Sequence, residues 1–252
     1  LTVTKDTTIG TNKLEVSAIQ VLADGYHYLE STKGGGQYID TGYTANANTK
    51  VEMDAYIPPK EKQETTACVL FGSRTLNDWA NKSFSIQLAD ISFIRFAYNG
   101  TFVDSPAVSF GERMTISCGA KELAWKGSKE EESVPVEVAS LERSKSTLYI
   151  FGDNSVENDG EKRNGPHNAS VMKLYSFKIY EGDDLKRDFV PVVRNADGAY
   201  GLFDRANNGF CPMATPTGQS LSVVPDPTTL NGPYVPAGIV LQHNHYYNVT
   251  EN

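Results

Sequence analysis

Short runs of apolar and aromatic residues alternate with polar positions along most of this chain, and polar turns separate the runs. Lys50 to Ile57 shows the pattern most cleanly. Val51, Met53, Ala55 and Ile57 fall on one side, with Lys50, Glu52, Asp54 and Tyr56 on the other. A period of two is that of a half-buried β-strand. Pro58-Pro59 stops the run, and Lys60 to Thr66 is a charged loop. Further strands are expected at Cys68 to Gly72, Phe84 to Leu88, Ile91 to Tyr98, Phe102 to Phe110, Met114 to Cys118 and Leu148 to Gly152. Asn99-Gly100 is a hairpin signal, because both residues tolerate the left-handed backbone of a two-residue turn.

The densest such stretch is 171–211. Val171 to Tyr180 is rich in β-branched and aromatic residues, and Glu181-Gly182-Asp183-Asp184 is turn chemistry. Leu185 to Val193 follows, with Leu185, Arg187 and Phe189 on one face and Lys186, Asp188 and Val190 on the other. Pro191 has no N–H to donate, so this strand is expected to end, kink or lie at an edge there. Ala199 to Asp204 returns before Asn207-Asn208-Gly209. Three sequential antiparallel strands, a β-meander, are the expectation.

Before this body, Leu14 to Leu22 reads as a strand, and residues 1–25 as an N-terminal strand or linker segment. After Cys211 come Pro212, Pro216, Pro225, Pro227, Pro233 and Pro236. Residues 212–252 therefore read as an extended segment packed on the same domain. No stretch has the length and 3.6-residue period of a substantial helix, and no repeat of 20–50 residues is visible. Regularly spaced short strands predict an all-β, two-sheet antiparallel sandwich.

A chain of 252 residues is long enough to bury a sizeable core, and its formal net charge of -8 argues against a nucleic-acid partner. No segment is apolar over the eighteen or more residues of a membrane span. Leu1 opens no secretory signal pattern, so any export signal is expected to lie outside this sequence. Cys68, Cys118 and Cys211 have no metal-type spacing. Two lie in apolar runs, where free cysteine behaves as a small hydrophobe; a disulfide cannot be read from the spacing.

The segments YLEST, QYIDTGYTANANTKVEMD, FGSR, FSIQL, IRFAY, SFKIY, RDFVPVVRNADG and GLFD occur in this order over residues 26–211. They resemble bacterial LamG-like, concanavalin A-like jelly-roll domains, which are common in surface and secreted proteins of gut bacteria. The resemblance implies a jelly roll over residues 26–211, an exported, cell-surface location and neighbouring modules in a longer protein. One fold hosts many activities, so it implies little about chemistry.

Some glycoside hydrolases of this fold carry three acids, E-x-D-x-E, on one strand, and retaining hydrolysis needs two carboxyls about 5–5.5 Å apart. Here Glu52-Met53-Asp54 is followed at the third position by Tyr56. The acid/base partner is missing, and no catalytic residue is assigned. His243-x-His245, with His27 and His167 elsewhere, supplies too few ligands for a zinc shell. The stretch Asp153 to Asp159 is oxygen-rich, but fits no calcium-loop spacing and reads as the start of a polar loop. No cofactor is expected, and calcium is unsupported by a motif. The N-x-S/T triplets at Asn81, Asn99, Asn168 and Asn248 are acceptors only in a eukaryotic secreted protein.

Sugar recognition needs a flat, partly wet aromatic ring surrounded by planar polar groups. Trp79 lies in the polar stretch SRTLNDWANK, with Arg74, Asn77 and Asp78 close by, and Trp125 sits between charged residues in KELAWKG. Trp79 is the expected platform, Arg74, Asn77 and Asp78 its hydrogen-bonding neighbours, and Trp125 or Tyr98 a second platform. The expected function is a non-catalytic carbohydrate-binding or adhesion module whose partner is a glycan or cell-surface polysaccharide. The alternatives are a glycoside hydrolase or lyase of the same fold, and a structural spacer in an appendage or phage tail.

Overall fold

The structure is a computed structural model describing residues 8–9, 12–13, 19–25, 28–63, 67–75, 83–90, 92–129, 131–137, 146–156, 166–194, 197–215 and 245–249. Its strands, in chain order, begin with β1 (Thr8–Ile9), β2 (Asn12–Lys13), β3 (Ile19–Gly25), β4 (Leu29–Glu30), β5 (Tyr38–Asp40) and β6 (Thr49–Ile57). Then come β7 (Ala67–Thr75), β8 (Ser83–Ala89), β9 (Phe93–Tyr98), β10 (Thr101–Asp104), β11 (Glu112–Cys118), β12 (Glu122–Lys126) and β13 (Glu131–Pro135). The remainder are β14 (Tyr149–Ile150), β15 (Asp153–Val156), β16 (Lys173–Glu181), β17 (Asp184–Arg194), β18 (Tyr200–Asp204), β19 (Gly209–Ala214) and β20 (His245–Val249). Among the described residues the helical content is one 3₁₀ turn, Lys60–Lys62, and no helix is long and apolar enough to cross a membrane.

Two sheets result. The first runs β13-β12-β11-β6-β16-β17-β18-β19, with β4 beside β16 and β3 between β17 and β20. The second runs β10-β9-β8-β7, then β14 and β15 side by side on β7, then β5 and β19. Strand β19 belongs to both. Its first half pairs with β18 and its end, Met213–Ala214, pairs with β5. This is an all-β antiparallel jelly-roll sandwich, with one parallel pair among the described strands, β7 and β15.

The alternation in the sequence explains the packing. Val51, Met53, Ala55 and Ile57 of β6 are buried, while Glu52, Asp54 and Tyr56 face outward. Ile86 and Leu88 of β8 and Ile94 and Phe96 of β9 meet them from the other sheet in one core. Phe71 of β7 and Phe177 of β16 touch edge-to-face across the sandwich, centroids 5.0 Å apart. The hairpin at Asn99-Gly100 has both φ values positive, 47° and 71°, as its sequence predicts. The meander is present as β16, β17 and β18.

Several expectations fail locally. Strand β17 runs straight through Pro191, which pairs with Leu202. On its other flank β16 stops pairing at Phe189 and β3 starts at Val192, so Pro191 falls between neighbours. Phe102 to Phe110 is strand only as far as Asp104. Asp153 does not open a solvated loop. It starts the buried strand β15, and Asp153 is 1% exposed. The cysteines follow the reading of their apolar runs: Cys68 and Cys118 are buried free thiols, and only Cys211, also free, is half-buried.

Where β7 carries β14 and β15, a side chain has no room. A Cβ on Gly72 would collide with Ser85 and come within 3.0 Å of Asp153 Oδ1. Gly72→Ala is expected to cost about 1–3 kcal/mol, read as a lower urea midpoint with unchanged slope.

Candidate functional site

The outward face of the first sheet carries three cross-strand rows, set by register. Lys178, Glu52 and Ser117 lie abreast on β16, β6 and β11, continued by Ala124 and Ser133 on β12 and β13. Ser176, Asp54 and Thr115 form the next row, continued by Lys126 and Glu131. Lys173, Tyr56 and Arg113 form the third, with Glu30 of β4 beyond Lys173. Residues directly opposite point to the same face, so each row is a line of neighbouring side chains.

Short side chains at Ser117, Ala124, Ser133, Thr115 and Ser176 leave a low floor. Longer ones at Glu52, Lys178, Lys126 and Glu131 rise around it, and the result is an open groove of about 660 Å3. Five strands at a spacing of about 4.8 Å give it a length on the order of 20 Å across the strands. A second hollow of about 760 Å3 continues on the same face, lined by Tyr56, Tyr175, Lys173, Pro59, Lys33 and Lys62 among others.

The charged groups here are held in place by specific partners. Lys50 Nζ lies 2.8 Å from Glu52 Oε1, and the Tyr180 hydroxyl donates to Glu52 Oε2 at 3.0 Å. Partial burial pushes the Glu52 carboxyl upward, but those two hydrogen bonds and the charges of Lys50 and Lys178 leave it below the usual range. Burial, then the Glu52 carboxylate, pushes the Tyr180 phenol up to about 12. Arg113 donates to both oxygens of Asp54, at 2.8 and 2.7 Å. The same guanidinium lies 3.8 Å from the centroid of the Tyr175 ring. Lys173 Nζ sits 4.3 Å over the Tyr28 ring and donates to its hydroxyl at 3.1 Å.

Tyr175 reaches this face through a β-bulge. The register of β16 against β6 slips between Leu174 and Ser176, and Tyr175 is the extra residue. A bulge re-aims a side chain that strict alternation would send to the other face.

The residues expected from sequence lie elsewhere. Trp79, Asn77 and Asp78 fall outside the described residues, as do His27, His243 and Asn81. Trp125 is in the core at 2% exposure and Tyr98 at 1%, so neither offers a ring to solvent. This corrects the reading of Trp125: its charged neighbours Glu122 and Lys126 are exposed, but the ring itself alternates inward. Arg74 is committed to Asp153, with Nε 2.6 Å from Oδ2, and lies beside His167 Nδ1 at 2.5 Å. Among the described residues no group of three or more His, Cys, Asp or Glu side chains converges to hold a metal. Tyr28, Tyr56, Arg113, Lys173 and Tyr175 were not singled out from sequence. The outward position of Tyr56 was legible, but its neighbours come from strands more than fifty residues away.

The fold defines a two-sheet antiparallel sandwich, and its assignment rests on the sheet pairing above. Neither the comparison with protein families nor that with curated proteins returns a match for this chain. Among solved structures, domains LG4-5 of the mouse laminin alpha1 chain are 14% identical with a TM-score of 0.40, over 77% of this chain. The chain spans 52%, about half, of that laminin structure. A native heptameric SAP-like pentraxin from Limulus polyphemus is 9% identical with a TM-score of 0.40, over 65% of this chain and 78% of its own.

Proposed function

We propose that the chain is a non-catalytic glycan-binding module, serving adhesion on an exported surface protein, and that its ligand lies in the groove of the first sheet. The observation that supports this best is the groove itself. It is open at its sides and floored by small hydroxyl and methyl groups. Oriented carboxylate and ammonium groups border it, the Asp54 carboxylate held by Arg113, with half-buried tyrosines in the adjoining hollow. Such a surface exchanges hydrogen bonds with sugar hydroxyls while tyrosine faces cover the apolar side of a ring. Each hydroxyl merely exchanges water for protein, so affinity per sugar is weak.

The chemistry of the two groove carboxylates favours binding over hydrolysis. A glycosidase acid must hold a proton near neutral pH. Glu52 is instead held below its usual range by Lys50 and Tyr180, and Asp54 is engaged at both oxygens by Arg113.

The test is a polysaccharide panel on native affinity gels, run with wild type and Ala124→Trp. The indole would fill the half-buried floor without touching the core. Retention by at least one glycan, reduced more than about tenfold in the variant at unchanged unfolding temperature, is the expected result. A variant that binds as well as wild type removes the ligand from this groove. Release of reducing sugar by wild type, abolished in Glu52→Gln, would establish an enzyme instead.

A further inference from the structure

The third row of the groove face carries chemistry that a neutral sugar does not use. Arg113 spends Nε and Nη2 on the two oxygens of Asp54, and Tyr175 backs the plane of its guanidinium. A guanidinium has five N–H donors. The Nη1 end, with the second proton of Nη2, has no hydrogen-bond partner among the described residues, and the side chain is 57% exposed. A second planar fork is therefore fixed in orientation and open to solvent. Two strands away stands Lys173, and between them, cross-strand to both, is Tyr56. The Lys173 ammonium is pinned by the Tyr28 ring and hydroxyl, which leaves further donors. Lys33 and Lys62 border the adjoining hollow, opposed by Glu30 and Glu61.

A free fork beside a half-buried tyrosine and a pinned ammonium matches an oxyanion attached to a ring. The geometry points to an acidic sugar unit, a hexuronate or a sulfated sugar, bound at this end of the groove with its ring against Tyr56 and its oxyanion on the outer fork of Arg113. This rests on the glycan-binding reading and adds the ligand class to it. The fork favours this class, because its charge-assisted bidentate pairing with a carboxylate or sulfate is stronger than the two neutral hydrogen bonds it can give a pair of hydroxyls. Net attraction does not drive it: the whole chain carries -8, and Asp54 and Glu30 stand beside the two cations.

Native affinity gels containing polygalacturonate, its fully methyl-esterified form, dextran sulfate or dextran separate the possibilities. These four polymers compare carboxylate with its neutral ester and sulfate with its neutral parent. The expected result is at least tenfold tighter retention by one acidic polymer than by its neutral partner. Arg113→Lys, which keeps the charge and the pairing with Asp54 but loses the fork, is expected to remove most of that preference. Lys173→Gln is expected to remove less, and both variants should unfold at the wild-type temperature. Retention by neutral polymers without any acidic preference overturns the acidic-sugar inference and leaves the groove reading standing. No retention by these four polymers overturns the inference, and the wider panel then decides whether the glycan-binding reading falls with it. An acidic preference that survives Arg113→Lys unchanged removes Arg113 from the site.

Discussion

Phe177→Ala is expected to lower the free energy of unfolding by about 3–5 kcal/mol. Phe177 is fully buried, meets Phe71 of the opposite sheet edge-to-face at 5.0 Å, and lies 6.5 Å from Phe189 on the neighbouring strand. Its removal opens a cavity between two sheets whose backbones are fixed by pairing and cannot close around it. Dispersion contacts and area burial are therefore lost together. The measurement is the urea midpoint at constant slope. Leu185→Ala is the control: Leu185 is 43% exposed, and its truncation should change stability by no more than about 0.5 kcal/mol. A Phe177→Ala loss no larger than that of Leu185→Ala would refute the account of the core.

Arg74→Met is expected to cost about 3–5 kcal/mol at pH 8 and distinctly less at pH 5. Arg74 is the countercharge of Asp153, a fully buried carboxylate whose Oδ1 has no hydrogen-bond partner among the described residues. Burial raises the Asp153 carboxyl to about 6, against the opposing pull of Arg74 and the Ser155 hydroxyl. A carboxyl raised above its unfolded value contributes stability that is complete below the unfolded pKa, near 4, and is lost as pH rises through about 6. In wild type this contribution amounts to about 2 kcal/mol between pH 4 and pH 8. Without Arg74 the carboxyl takes up its proton more readily, so acid relieves most of the damage. Asp153→Asn should remove the Asp153 part of the slope. Urea midpoints for the three proteins at pH 5 and pH 8 check this. A pH-independent penalty for Arg74→Met would show that Arg74 acts through packing alone.

The strand pattern was legible because alternation is local. In β6 each side chain goes where its neighbour's parity sends it, and β11 follows the same rule. Trp125 shows the limit. Its charged neighbours suggested a wet ring, but parity within β12 buries it. Parity misleads in turn at a bulge, and Tyr175 stands at one. Asp153 read as loop chemistry because aspartate followed by asparagine and serine favours turns. Its strand exists because β7 offers a parallel edge and Arg74 a countercharge eighty residues away.

By itself the sequence determined the all-β class, the meander of β16 to β18, the Asn99-Gly100 hairpin and which face of β6 meets the core. All of these follow from backbone preferences and a two-residue period within one segment. The tertiary structure alone decided which outward faces lie side by side. Glu52, Asp54 and Tyr56 are ordinary polar positions along β6. They border a groove only because β11 and β16 flank β6 in a register that sets Ser117, Thr115 and Arg113 on one side and Lys178, Ser176 and Lys173 on the other. The local alternation fixes only the parity of that register; which segments pair, and at which offset, depends on stretches far apart in the chain.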